Sequence, residues 1–171
     1  MPDLVLAGAN PVALLFLLYI IVQRLLELAI AKRNTARLLA AGAEEHGAAH
    51  YPVMVLMHTV WITGLVLFGY DEPVHLGWLA VFAVLQILRL WILASIGKRW
   101  TTRVIVVPNE TLVSRGPFAF VRHPNYLLVG AEILVAPMVV GLWEWALLFT
   151  VLNAAMLWWR VGVEERALGL R

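Results

Sequence analysis

Residues 76–97 read LGWLAVFAVLQILRLWILASIG, an apolar run whose polar side chains are Gln86, Arg89 and Ser95. As a helix rising about 1.5 Å per residue it is long enough for the roughly 30 Å hydrocarbon layer of a membrane. Runs of similar character lie near 11–31, 52–70, 126–142 and 144–163. The last two are short and break only around Gly141-Leu142-Trp143, which predicts a tight helical hairpin that need not cross the bilayer fully, with Pro137 kinking its first arm.

Composition agrees with that solvent. The chain is 62% hydrophobic and 14% charged, with eight Trp among 171 residues and a mean hydropathy of +0.83. A small soluble domain cannot bury so much apolar surface. The sequence therefore predicts an all-α integral membrane protein with about five transmembrane helices, a cytoplasmic loop and a C-terminal helical hairpin. A net charge of +2, with no basic run interleaved with exposed aromatics, gives no footprint for nucleic acid. With no cysteine, disulfides, thiolate metal sites and a Cys nucleophile are excluded. The N-terminus lacks the basic region and small-residue cleavage site of a signal peptide, so the first run is expected to stay in the mature protein.

The connections set an orientation. Lys32, Arg33 and Arg37 follow the first run, Lys98, Arg99 and Arg103 the third, and Arg166 and Arg171 the fifth; the other side offers Asp71, Glu72 and Glu144. Basic connections stay cytoplasmic, so the N-terminus is expected outside and the C-terminus inside. Residues 33–48 are expected to form a short amphipathic surface helix limited by Gly42 and Gly47. Residues 98–122 hold the β-branched run Val104-Ile105-Val106-Val107, then Pro108-Asn109 and Leu112-Val113-Ser114-Arg115-Gly116-Pro117-Phe118. Turn signals dominate there, so an ordered loop or small β element is expected.

Polar groups inside membrane-length runs cost about 2.5–3.5 kcal/mol each on insertion scales when charged, so they mark partners or sites. Arg24 and Glu27 are three apart on one helix face and can pair with each other, with Gln23 alongside. Arg89 and Glu132 have no local partner, so they are expected to face other polar groups of the spans or to line a cavity. His58 and Asn153 add uncharged polar groups in the second and fifth runs. His46 and His50 are four apart, but Gly47 intervenes and no third ligand stands at a recognised interval, so no metal site is expected. Pro124 should start a helix directly after His123, aiming the imidazole and first-turn amides at an anion or acceptor. Arg160 and Glu164 stack one turn apart, either as an intrahelical salt bridge or as a matched pair for a zwitterion such as an amino acid.

Gly116-Pro117-Phe118, then Arg122-His123-Pro124-Asn125-Tyr126, then Arg160 with Glu164-Glu165 resemble, in order and spacing, the signature half of the isoprenylcysteine carboxyl methyltransferase family. The resemblance spans roughly 98–168. It implies a multi-span enzyme that takes a methyl group from S-adenosylmethionine, leaving S-adenosylhomocysteine, and gives it to a lipophilic acceptor between the spans. It further implies that His123 and Tyr126 hold the cofactor near its sugar and sulfonium, with Pro124 at the same helix start. Leu112, Val113, Ser114, Gly116 and Pro117 would wall the adenine, Arg160 and Glu164 grip the methionine moiety, and Glu165 support them. On this reading residues 1–171 are one methyltransferase domain, 1–97 forming the acceptor side and 98–171 the cofactor half.

The N-terminal half, Arg24 to Asn34 and His50-Tyr51-Pro52 to His58, resembles a bacterial branch associated with type III polyketide synthases that O-methylates alkylpyrones or alkylresorcinols. That implies an inner or plasma membrane location and a polyketide synthase as functional partner. The run Tyr126-Leu127-Leu128-Val129-Gly130-Ala131-Glu132 departs from the family pattern, in which Gly follows the Tyr after one apolar residue. A hydroxyl acceptor must lose a proton, for which His123, Glu132 and His58 are candidate bases, with Arg89 as a charge-neutralising catalytic candidate. Carboxyl methylation of an isoprenylcysteine-like substrate is the alternative, since that acceptor needs only orientation. A non-enzymatic membrane scaffold, its polar groups serving helix association, is the other.

Overall fold

The computed structural model describes residues 8–108, 111 and 113–169. Asn109 of the expected turn, Leu112 of the expected adenine wall and Arg171 of the basic C-terminus lie outside them. Five helices run antiparallel in sequence: α1 Pro11–Ala40, α2 Tyr51–Gly69, α3 Leu76–Ile96, α4 Pro124–Val139 and α5 Trp143–Ala167. Four are long and apolar enough to cross a membrane, and α4 is a shorter apolar helix. At 16 residues α4 is about 24 Å long, less than the hydrocarbon thickness. Its partner α5, with 25 residues, is not the short arm the sequence suggested.

Local chemistry sets the ends. Asn10 caps α1 by accepting the amides of Val12 at 3.0 Å and Ala13 at 3.4 Å, and Pro11 fills the first helical position, where a missing N–H is harmless. Its amide nitrogen also donates to the Glu72 carbonyl at 2.9 Å, tying the chain start to the α2–α3 connection. Pro137 stands in the last turn of α4. Its carbonyl takes the amides of Val140 and Leu142, so the proline ends the helix where a mid-helix kink was expected.

Helix α1 runs well past its apolar part, so residues 33–40 continue it and form no separate surface helix. The remainder of that expected helix is a strand, β1 Glu44–His46, paired antiparallel with β2 Val104–Val106, Glu45 opposite Ile105. His46 therefore sits on a strand and His50 closes a 3₁₀ turn, and their four-residue spacing does not stack two imidazoles on a helix face.

Helix α4 packs between α3 and α5. The apolar core gathers where α1 and α5 begin and α4 ends: Ala13, Phe16, Leu17 and Ile20 meet Trp61, Leu65, Phe82, Ile133, Ala136, Val139 and Phe149. Gly64 admits the Trp145 ring where a Cβ would overlap it, and Trp145 Nε1 donates to the Trp61 carbonyl at 3.1 Å. With its packing concentrated at that end, the bundle is left to hold polar groups and cavities at the other.

Candidate active site

Pro124 begins α4 with His123 as its capping residue, as the missing proline N–H dictates. The His123 carbonyl accepts the amides of Tyr126 at 3.1 Å and Leu127 at 3.3 Å. Those two amides are thus turned onto the helix itself. The side chains gather instead. The His123 ring stacks on Tyr126 at 5.3 Å, 11° from parallel. The Tyr126 hydroxyl accepts from Arg160 Nε at 2.8 Å and donates to Glu164 Oε2. Arg160 and Glu164 do stack one turn apart on α5, but a tyrosine from α4 joins them. Arg160 Nη1 also donates to the Thr102 carbonyl at 2.8 Å and meets Met54 Sδ at 2.9 Å, and among the described residues Nη2 makes no hydrogen bond.

These groups line a cleft of about 600 Å³ together with Val113, Phe118, Pro124 and the β2 strand. Glu165 stands behind it, with Oε1 3.8 Å from His123 Nε2 and 3.6 Å from Arg122 Nη1. Gly116 and Pro117 also stand behind the wall. Gly116 has a φ of +60° and would drive a Cβ into Ser95 Oγ, and neighbouring Arg115 donates to the Ser95 carbonyl at 3.1 Å. The Gly-Pro turn is therefore pinned to the end of α3, and it is Val113 and Phe118 that face the cleft. Ser114 is exposed. The hairpin side is fastened by Arg103 Nη1, which donates to Glu45 at 2.9 and 3.0 Å while the guanidinium covers the Tyr51 ring at 4.6 Å. The hydrogen bond it donates to Glu45 holds the Arg103 guanidinium above its ordinary pKa.

A second cavity of about 180 Å³, almost wholly apolar, opens between α1, α2, α4 and α5. From α2 it takes Tyr51, Met54, Val55, His58, Thr59 and Ile62; from α5 Asn153, Met156, Leu157 and Arg160. Each set is one helical face. Leu28 and Val55, which help line it, are 45% and 41% exposed, so it opens at the surface of the bundle. Trp100, Thr101, Asn125, Tyr126 and Arg160 line both cavities. They form a common wall.

Deeper in the bundle lies a buried quartet. Arg24 Nη1 meets Glu27 Oε2 at 3.1 Å and Arg24 Nη2 meets Glu132 Oε2 at 2.6 Å. Arg89 bonds Glu27 at 3.0 Å and grips Glu132 with both Nε, at 2.7 Å, and Nη2. Gln86 adds a bond to Glu132 Oε1 at 3.0 Å. Two positive and two negative charges cancel. Glu132 receives four donors, one for each of its lone-pair sites, and does not line either cavity, whereas Arg24, Glu27 and Arg89 border the apolar one. Gly130, the displaced glycine of the α4 pattern, would place a Cβ 3.9 Å from Asn153 and Leu157, an ordinary contact, so no close helix approach depends on it.

Residues 78–169 match the family model described as "Isoprenylcysteine carboxyl methyltransferase (ICMT) family". The chain belongs to the isoprenylcysteine carboxyl methyltransferase family. Over 160 residues it is 38% identical to "Uncharacterized protein YpbQ" of Bacillus subtilis (strain 168), covering 90% of this chain and 95% of that protein. An "Uncharacterized protein" of Haemophilus influenzae (strain ATCC 51907 / DSM 11121 / KW20 / Rd) is 22% identical over 115 residues, 64% of this chain and 66% of its own length. No solved structure matches.

The isoprenylcysteine carboxyl methyltransferase family consists of membrane methyltransferases whose members use S-adenosylmethionine. The cleft suits such a group on three counts. Its volume lies within the roughly 300–1,000 Å³ of ligand pockets. Arg160 and Glu164 offer opposite charges from one helix. At the cleft wall Asn125 Oδ1 is buried without a hydrogen-bond partner among the described residues, which leaves it to a polar ligand. Met54, Trp100 and Thr102 complete the site without having been anticipated. Met54 was detectable as the middle of the Tyr51, Met54, His58 face; the others lie in a loop, where no periodicity betrays them.

Proposed function

We propose that the protein transfers the methyl group of S-adenosylmethionine to a hydroxyl of a lipophilic acceptor of the alkylpyrone or alkylresorcinol type. The observation that carries this reading is the common wall: a polar, charged cleft and an apolar cavity open at the surface of the bundle meet at Asn125, Tyr126 and Arg160. A polar donor and a lipid acceptor require such an arrangement, each kept in its own solvent and touching at one place. Arg160 and Glu164 would hold the carboxylate and ammonium of the methionine moiety, His123 and Tyr126 its sugar side, and Val113 and Phe118 the adenine. When bound, the cofactor supplies an electrophilic methyl on a sulfonium. Tyr126 orients Arg160 and Glu164, and Glu165 steadies His123. Arg89 and Glu132 serve by fixing the quartet that closes the acceptor cavity.

The cleft end of the bundle carries Lys32, Arg33, Arg37, Lys98, Arg99, Arg103, Arg115 and Arg122, against Asp71, Glu72 and Glu144 at the other. The positive-inside rule puts the cleft in the cytoplasm of a cell whose plasma membrane holds the protein, with the N-terminus outside. A polyketide synthase is the kind of enzyme that would supply the acceptor.

Methyl transfer from labelled S-adenosylmethionine by the detergent-purified protein to alkylresorcinols, alkylpyrones and farnesylcysteine tests the reading. Label that survives alkali is an ether and supports it. Label released as methanol is an ester and replaces it with carboxyl methylation; no transfer and no cofactor binding would leave a membrane scaffold.

A further inference from the structure

We propose that His58 is the base that takes the proton from the acceptor hydroxyl, and that Asn153 holds a second oxygen function of the same ring. The inference rests on the hydroxyl-acceptor reading above and assigns the acceptor cavity its chemistry.

His58 Nδ1 lies 2.9 Å from the Met54 carbonyl. A carbonyl only accepts, so the bonded nitrogen carries the hydrogen and Nε2 presents a lone pair. His58 borders the apolar cavity, and among the described residues no donor is bonded to its Nε2, which is then available to a ligand. The other candidates are committed. Glu132 has its four acceptor sites filled and faces away from the cavity. Glu27 receives Gln23, Arg24 and Arg89. His123 stacks on Tyr126 at the cofactor side and borders the cleft alone. The Tyr126 hydroxyl gives its hydrogen to Glu164.

Asn153 supplies a second, independent sign. It is 2% exposed, borders the same cavity, and its Oδ1 has no hydrogen-bond partner among the described residues. An amide both donates and accepts, so it can serve the second hydroxyl of a resorcinol or the carbonyl of a pyrone. Position along the helices agrees. His58 is one turn, about 6 Å, deeper along α2 than Met54, whose sulfur touches Arg160 on the common wall at 2.9 Å. A ring oxygen at His58 is therefore about one helical turn beyond the Met54 contact with Arg160, in the same cavity.

In the reaction Nε2 takes the hydroxyl proton as the oxygen forms its bond to the methyl carbon. The carbon–sulfur bond of the sulfonium donor breaks with its electron pair left on sulfur, and the imidazolium returns its proton to water between turnovers. The charged and titratable groups around His58 are Arg24 and Glu27 from α1, Arg89 from α3, Tyr126 from α4, Arg160 from α5, and Tyr51 on its own helix.

The test uses a nitrophenol bearing a long alkyl chain, whose phenolate is coloured, titrated into the full-length protein without cofactor. The wild type should bind it with an ionised fraction well above that in protein-free detergent at the same pH. His58→Asn keeps a donor for the Met54 carbonyl and removes the Nε2 lone pair. It should bind the probe in its colourless form, bind S-adenosylhomocysteine as the wild type does, and methylate alkylresorcinol about 10²–10⁴-fold more slowly. His58→Gln is the second variant should His58→Asn fail to fold, S-adenosylhomocysteine binding being the check. Asn153→Leu should cost more against a dihydroxy ring than against a monohydroxy one. If wild type methylates alkylresorcinol and the His58 variants ionise the probe and turn over equally well, His58 is not the base although the acceptor class stands. If the wild type neither binds nor ionises the probe and methylates farnesylcysteine instead, with His58 variants unaffected, the acceptor reading falls and this inference with it.

Discussion

Replacing Glu132 with Gln separates a structural carboxylate from a reacting one. The residue is 1% exposed and Arg89, its main partner, 2%, and together with Arg24 and Glu27 they form a quartet of zero net charge. The substitution keeps shape and volume but leaves an uncompensated positive charge in a membrane-buried position. Breaking a buried pair in this way costs about 3–5 kcal/mol. On the scaling for chains of this size, about 2–4 °C per kcal/mol, the thermal midpoint should fall by roughly 6–20 °C. Tryptophan fluorescence of the detergent-solubilised protein reads the transition. The double variant Arg89→Met with Glu132→Leu removes one charge of each sign and leaves the Arg24–Glu27 pair at 3.1 Å. It should be more stable than Glu132→Gln alone, because a neutral apolar replacement spares the orphaned charge. A Glu132→Gln protein that melts like the wild type but has lost methyl transfer would refute the assignment and make Glu132 a reacting group.

Glu164→Gln removes the charge that Tyr126 orients; a lost hydrogen bond to a charged group is worth about 1.5–3 kcal/mol, so S-adenosylhomocysteine affinity by calorimetry should drop roughly 10- to 150-fold. Tyr126→Phe should weaken the same binding in the same assay, since Arg160 and Glu164 then lose the hydroxyl that joins them; unchanged affinity would remove Tyr126 from the site. Gly116→Ala forces a side chain into left-handed backbone against Ser95, a cost of about 1–2 kcal/mol before the overlap is counted, visible as a lower melting midpoint. Glu45→Gln should cost within about 1 kcal/mol, because its bond to Arg103 is at the surface, where Arg103 is 41% exposed; a loss as large as that of Glu132→Gln would mean the hairpin carries the fold.

Much of the fold is legible because lipid leaves few choices. The runs at 52–70 and 76–97 coincide with α2 and α3 to within a residue, since hydrophobic length and helix length are there the same quantity. They diverge at α1, which runs on to Ala40. Apolar character stops near Ala31, but Lys32 to Ala40 contains no glycine or proline, so nothing ends the helix until Ala41-Gly42. Strand β1 could not be read, since its partner Val104–Val106 is some sixty residues away and pairing at that distance leaves no local pattern. The site divides the same way. Within one helix, spacing brings Arg24 to Glu27 and Arg160 to Glu164. Between helices it is silent, so the meeting of Arg89 with Glu132 and the entry of the Tyr126 hydroxyl between Arg160 and Glu164 appear only once α1, α3, α4 and α5 are packed.

That hydroxyl explains how a charged cleft can share a wall with an apolar cavity. Arg160 is 6% exposed and borders both spaces, and a bare guanidinium facing lipid would be costly. Its Nε and Nη1 are spent on the Tyr126 hydroxyl, in the common wall, and on the Thr102 carbonyl and the Met54 sulfur, which line the apolar cavity. The charge is thereby solvated by protein on the acceptor side and reaches the Glu164 carboxylate on the cofactor side through a single oxygen. A polar donor can bind against that arrangement while a hydrocarbon chain rests on its reverse. The start of α4 at Pro124, soon after the pinned Gly116–Ala119 turn, places the Tyr126 ring at the junction of the two spaces.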